Sequence, residues 1–217
     1  MAIRFISDIH FHHMNIIKYD GRPFSTVEEH DEFIVEEWNK VVQPDDDVYI
    51  LGDVLLINGR ETIELREKLV SRLNGKKYLI KGNHDGKDAT LLQSKLFVEV
   101  KSYEKLVLED GTHIILSHYP IMSWDKMYRG AYHLFGHVHN FTEDTYNVEM
   151  FKHSVKVNGA PLKMYNVCAS LPWINYIPRT LEEIVHGYEF HKEEYLKKLI
   201  ETHEKRIAST DVLNTKN

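Results

Sequence analysis

Cysteine is almost absent: Cys168 is the only one in 217 residues. No disulfide can form within the chain, and the sequence reads as adapted to a reducing compartment. No apolar stretch approaches the roughly 20 residues that cross a bilayer, and the amino terminus lacks the charged-then-apolar pattern of a secretory signal. The expected setting is the cytoplasm, away from membranes. Positive charge is also in short supply. Against 33 acidic side chains stand 27 basic ones, a formal charge of -6, whereas proteins that live on nucleic-acid backbone need cations to displace counterions. No stable nucleic-acid partner is expected. Low-complexity tracts and internal repeats are missing too. With 42% hydrophobic and 28% charged residues, the composition is that of an ordinary globular chain, read as one domain over residues 1–217.

What the chain does contain is a series of short apolar runs, at residues 3–7, 48–51, 78–81, 114–116, 134–135 and 164–167. Their length and unbroken hydrophobicity predict strands buried on both faces. Two helical patterns lie between the early runs. Val27, Phe33, Ile34, Trp38, Val41 and Val42 fall near one helical face, with Ser25 or Thr26 as cap; Ile63, Leu65, Leu69, Val70 and Leu73 do the same and stop at Asn74-Gly75. Residues 99–108 resemble an edge pair of strands, and Asp110-Gly111 is a hairpin turn signal. A second such signal, Asn158-Gly159, lies in a polar insertion over residues 141–163, read as a hairpin or flap beside the site. Residues 181–208 read as a C-terminal helical segment, and fraying is expected from Ser209 onward.

Five short motifs close apolar runs: Asp8-Ile9-His10, Gly52-Asp53, Gly82-Asn83-His84-Asp85, Ser117-His118 and Gly136-His137-Val138-His139. Carboxylates, imidazoles and an amide thus recur where strands hand over to loops, the place where α/β proteins bind ligands. In an extended step Asp8 and His10 would share one face. Two divalent ions need four to six N or O ligands each and a carboxylate to bridge them, and this set supplies both. The mix of nitrogen and oxygen suits manganese first, or iron, zinc or nickel, rather than calcium.

The order of the blocks, DxH, GD, GNHD, H and GHxH, resembles the calcineurin-like metallophosphoesterase superfamily across Asp8 to His139. The stretches SDIHFHHMNIIKYDGRPF, SHYPIMSW and NYIPRTLEEI resemble a compact subgroup of bacteria and phages. The resemblance implies an α/β fold, a four-layer α/β/β/α sandwich of two facing mixed β-sheets flanked by helices. It implies that Asp8, His10 and His139 hold one metal ion, that Asn83, His118 and His137 hold a second, and that Asp53 bridges them. His84 then resembles the general acid, with Asp85 orienting it. The expected activity is dinuclear-metal-dependent hydrolysis of a small phosphomonoester or phosphodiester, nucleotide-derived ones included, by in-line attack of a metal-bridging hydroxide. His13, Arg22 and Arg129 are the candidate substrate contacts, while Trp124, Tyr128 and Arg129 are candidates for a stacking rim. The rival reading, a non-catalytic metal-binding scaffold of the same fold, is disfavoured because all seven ligands and His84 are present.

Overall fold

A computed structural model describes residues 1–56, 60–86 and 95–214. Strands β1 (Ile3–Ile6), β2 (Asp47–Ile50), β3 (Lys76–Ile80) and β4 (Glu99–Lys101) form a sheet in that order, with every pairing parallel. Parallel neighbours need a crossover. The first contains α1 (Met14–Tyr19) and α2 (Val27–Val41), the second α3 (Arg60–Val70). α2 starts at Thr26, whose hydroxyl accepts from Glu29 N at 3.1 Å while the Glu29 carboxylate accepts from Ser25 N at 2.7 Å. That reciprocal cap fixes the helix entry. Its buried face, Ile34, Val35 and Trp38, lies on the sheet, and the Trp38 indole donates to Asn74 O at 3.0 Å.

The second sheet has the order β10 (Met164–Asn166), β7 (Tyr132–Phe135), β6 (His113–Ser117), β5 (Tyr103–Val107); β5 and β6 are antiparallel and the other pairs parallel. The hairpin between β5 and β6 turns at Asp110-Gly111, as expected. The expected edge pair over residues 99–108 does not form. Only Ser102 separates β4 from β5, too little for a hairpin, which takes at least two residues; β4 instead joins β3 and β5 joins β6. The chain changes sheets there.

One apolar cluster unites the layers. It contains Ile6, Ile50 and Leu79 of the first sheet, Ile114, Leu116 and Leu134 of the second, Trp38 and Leu69 from the early helices, and Ile184, Tyr188 and Tyr195 from the last helix, α5 (Leu181–Asn214). This is the helix-flanked pair of sheets that the sequence implied, except that the named strands of the first sheet are all parallel. Its antiparallel neighbour is an isolated bridge, Phe5 to Arg179. A parallel bridge from Ser7 to Cys168 joins the end of β1 to the chain leaving β10, so the two sheets meet along that edge.

The insertion differs most from expectation. Residues 142–154 are helix α4 (Thr142–Ser154), and only β8 (Lys156–Val157) and β9 (Ala160–Pro161) pair around Asn158-Gly159. The buried positions of α4 are Thr145, Glu149 and Lys152. Tyr188 of α5 donates to Glu149 at 2.6 Å, and the Lys152 ammonium lies 3.5 Å from the centre of the Tyr188 ring. A polar face turned inward hides a helix from any hydrophobic pattern. α5 continues to Asn214, past the expected fraying point at Ser209; residues 215–217 lie outside the described residues. Among the described residues no helix is long and apolar enough to cross a membrane.

Candidate metal centre

The loops after β1, β2, β3, β6 and β7 open at one end of the sandwich and carry Asp8 and His10, Asp53, Asn83, His118, and His137 and His139, respectively. The backbone at these residues is not extended. Asp8 (φ 54°), His10 (54°), Asp53 (55°), His137 (71°) and His139 (48°) all adopt left-handed conformations, which Asp and His tolerate better than most side chains. Alternating left-handed residues, rather than a strand-like step, turn Asp8 and His10 to the same side. The Asp8 and His10 amides donate to Gly52 O and Asp53 O, both at 3.0 Å, so the first two loops are zipped together. Glycine permits the close approach: a Cβ on Gly136 would overlap Ser7 Oγ and Asp8 Oδ2, and one on Gly82 would overlap Asp53 Oδ1.

Two clusters result, Asp8 with His10 and His139, and Asp53 with His118 and His137. In the first, His139 Nε2 lies 3.1 Å from Asp8 Oδ1 and 3.2 Å from His10 Nε2. In the second, His118 Nε2 lies 3.5 Å from Asp53 Oδ2 and 3.1 Å from Asn83 Oδ1. Asp53 Oδ2 also lies 3.8 Å from His10 Nε2, so that carboxylate faces both groups. The donor chemistry fits divalent cations. Asp8 Oδ1 is buried without a hydrogen-bond partner while it faces two imidazoles. His118 Nδ1 donates to Leu51 O at 2.7 Å, which leaves the Nε2 lone pair for a ligand.

The electrostatics point the same way. Burial would lower His118 and His139, but Asp53 and Asp8 beside the first, and Asp8 and Asp20 beside the second, raise each to about 9. Burial would raise Asp8, yet His139 and His10 hold it well below the usual carboxylate range. The carboxylates therefore call for positive charge at this spot. His10 is pushed by burial to about 4, and so offers a neutral nitrogen.

Around the ligands lies a support that sequence reasoning missed. Asp20 Oδ2 sits 3.3 Å from His139 Nδ1 and 3.0 Å from Arg22 Nε. Asn166 donates to His139 O at 2.8 Å, and the Cys168 thiol donates to Asp8 Oδ2 at 3.0 Å. Asn166 and Cys168 are single residues far along the chain, without motif or periodicity to mark them, while Asp20 lies in the family-like stretch that ends in GRPF, beside Arg22, and could have been found there. Cys168 is a free, buried thiol.

Several predicted roles change. Arg22 does not reach a substrate: its buried guanidinium donates to Asp8 O and Ile9 O at 2.8 Å and meets His30 Nε2 at 2.9 Å, so it braces the first loop from behind. His30 in turn meets Asp31 Oδ1 through Nδ1 at 2.9 Å, and that carboxylate accepts from His12 N. Asp85 does not orient His84. Its carboxylate accepts from Gly82 N at 2.7 Å, Val54 N at 2.8 Å and Asp53 N at 2.9 Å, and so positions the Asp53 loop. Arg129 and Tyr128 precede β7, whereas the ligands follow it; Arg129 lines a hollow with His113 and Lys126 at the opposite end of the sheet. Trp124 is buried, with its indole donating to Ala131 O at 3.1 Å. His84 and His13 do stand at the mouth, their rings 5.6 and 5.4 Å from His10.

The chain is 35% identical over 185 residues to an uncharacterised protein of Methanocaldococcus jannaschii, covering 84% of this chain and 89% of that one. It is 29% identical over 160 residues to the Gene 66 protein of Mycobacterium phage L5, covering 63% and 76%. Among solved structures, a protein of unknown function from Aquifex aeolicus superposes with a TM-score of 0.57 at 25% identity, over 85% of this chain and 97% of the other. The sequence model of calcineurin-like phosphoesterases matches residues 1–210. Both clusters fall within that span, as do the sheets that carry them, and the chain belongs to the calcineurin-like phosphoesterase family, whose general chemistry is metal-dependent hydrolysis of phosphate esters.

Proposed function

We propose that the protein is a phosphodiesterase that works with two divalent cations, manganese first among them, on small diesters. The observation that carries this reading is Asp53, whose Oδ2 lies between His118 Nε2 at 3.5 Å and His10 Nε2 at 3.8 Å. Asp8, His10 and His139 would hold one ion, Asn83, His118 and His137 the other, with Asp53 shared. Bound there, the ions supply Lewis acidity that acidifies water and offsets phosphoryl charge. The chain's own contribution begins with His84. Its amide donates to Asp53 Oδ1 at 2.9 Å, and its Nε2 stands 4.0 Å from Asp53 Oδ2 on a partly exposed side chain. The imidazole is thereby held beside the shared carboxylate and open to solvent. Water adds to phosphorus opposite the leaving oxygen as the ester P–O bond breaks, His84 gives its proton to the departing oxygen, the water's own proton passes to solvent, and uptake of a proton from solvent restores His84. His13 supports the same phosphate from the mouth.

Charge favours the diester. A monoester brings a second negative charge, for which arginine or lysine is the usual partner. Arg22 is buried behind the first loop and Arg129 lies at the far end of the sheet, which leaves imidazoles among the predicted contacts. The test is hydrolysis of bis-p-nitrophenyl phosphate against p-nitrophenyl phosphate by protein stripped of metal and reloaded with manganese. The diester should be the better substrate by tenfold or more. His84→Ala, with its metal retained, should lose about 10²- to 10⁴-fold in kcat on a diester with an alkoxide leaving group and much less on the p-nitrophenyl ester, whose leaving group departs without a proton, and Asp53→Ala should lose metal. Preference for the monoester would overturn the diesterase reading; metal-dependent hydrolysis of neither compound would favour the scaffold.

A further inference from the structure

Tyr119 follows His118 directly and has no part in the chemistry above. Its ring packs against two proposed ligands, 4.3 Å from the His137 ring and 5.0 Å from that of His118, yet the residue is 48% exposed. The phenol thus stands beside the proposed ligands with about half of its surface open to solvent, where a bound molecule can reach both ring and hydroxyl. Its hydroxyl donates to Asn83 Oδ1 at 3.3 Å, the oxygen that also lies 3.1 Å from His118 Nε2. At that length the hydrogen bond is weak, so the donor is readily redirected. The backbone is firmer: Ser117 Oγ donates to Tyr119 O at 2.7 Å, which fixes the platform on the end of β6. Exposed Met122 extends the apolar surface of the same loop. With Trp124 buried and Tyr128 at the other end of the sheet, Tyr119 is the aromatic side chain that meets the centre from this loop.

We propose that Tyr119 is a catalytic residue with two contacts. Its hydroxyl donates to a non-bridging oxygen of the bound phosphodiester, and its ring stacks on a planar aromatic ester group such as a nucleoside carries. The assignment rests on the diesterase reading and deepens it by naming the substrate class. Stacking of a base on an aromatic side chain is worth about tenfold or more in affinity, and loss of one hydrogen bond to the reacting group costs about tenfold.

The experiment uses full-length, manganese-loaded protein and two diesters with the same leaving group, thymidine 5′-(p-nitrophenyl phosphate) and methyl p-nitrophenyl phosphate. Wild type should prefer the nucleoside ester by at least about tenfold in kcat/KM. Tyr119→Phe should lose about tenfold in kcat on both esters while keeping the preference. Tyr119→Leu should abolish the preference and weaken binding of thymidine monophosphate, read by calorimetry, by about tenfold. Both variants should keep the wild-type metal content by elemental analysis. Equal use of the two esters by wild type, or a Tyr119→Phe enzyme as fast as wild type, overturns the proposal. So does loss of metal from Tyr119→Phe, which would make the residue a support for His137 and Asn83. If wild type hydrolyses neither ester, the diesterase reading fails and this one falls with it.

Discussion

His133 shows what one buried side chain does when its neighbours are fixed. It lies in the middle strand β7 with no exposed surface, meets Ile115 O through Nδ1 at 3.2 Å, and accepts from Ile121 N through Nε2 at 3.2 Å. Burial pushes it to about 4 from an ordinary 6.5. The unfolded chain therefore takes up a proton near pH 6.5 that the folded chain refuses until about pH 4, and stability present above 6.5 is lost as pH falls through that window. The loss should be on the order of 3 kcal/mol, and it should be absent in His133→Gln, which keeps a donor and an acceptor but does not titrate. Urea melts of both proteins between pH 4 and 7 measure it. Sequence alone gave His133 no role because a lone histidine in an apolar run carries no pattern. The two clusters were legible for the opposite reason: their residues stand in the block order that the chain shares with the calcineurin-like family, and the structure brings Asp8, His10 and His139, and Asp53, His118 and His137, together. Asp85 and Arg22 fall between these cases. Each was placed near the centre by its motif, but which neighbour its polar atoms serve depends on loop conformation, and Asp85 serves three backbone amides while Arg22 serves two carbonyls.

Elements were legible wherever apolar residues alone decide them. The six apolar runs are strands β1, β2, β3, β6, β7 and β10, and the period of 3.6 over residues 27–42 is α2. Two elements were not. The partner of β5 depends on a one-residue link that hydropathy does not weigh, and α4 buries Thr145, Glu149 and Lys152, which read as surface. The handover segments after the strands matter most to the centre, and Gly136 tests them. A Cβ there meets Ser7 Oγ and Asp8 Oδ2, so Gly136→Ala must push the end of β7 away from the end of β1. The expected outcome is loss of metal from the cluster of Asp8, His10 and His139, read by elemental analysis, with a lower melting temperature. Gly159, at the tip of the β8–β9 hairpin, meets nothing within 4 Å although its φ is +80°. Gly159→Ala should cost only the backbone strain, about 1–2 kcal/mol, and leave metal content unchanged.

At the scale of the molecule, each cluster draws on both sheets. Asp8 and His10 follow the first sheet's β1 and meet His139 from the second sheet; Asp53 and Asn83 follow the first sheet's strands and meet His118 and His137 from the second. A cation in either cluster would act as a clasp across the seam. Removing metal with a chelator should lower the melting temperature reversibly, by an amount corresponding to about 2.7 kcal/mol per site when free metal had stood at a hundred times its dissociation constant. Amide exchange should quicken first at the carboxyl ends of β1, β6 and β7; protection unchanged there would remove the clasp from the account. The bridge between Ser7 and Cys168 bears on a different process, the order in which the chain leaves the ribosome. All seven proposed ligands have emerged by His139, but Asn166 holds the His139 carbonyl, Cys168 holds the Asp8 carboxylate, and Phe5 pairs with Arg179. A nascent chain halted before these residues carries every proposed donor atom without the frame that aims them.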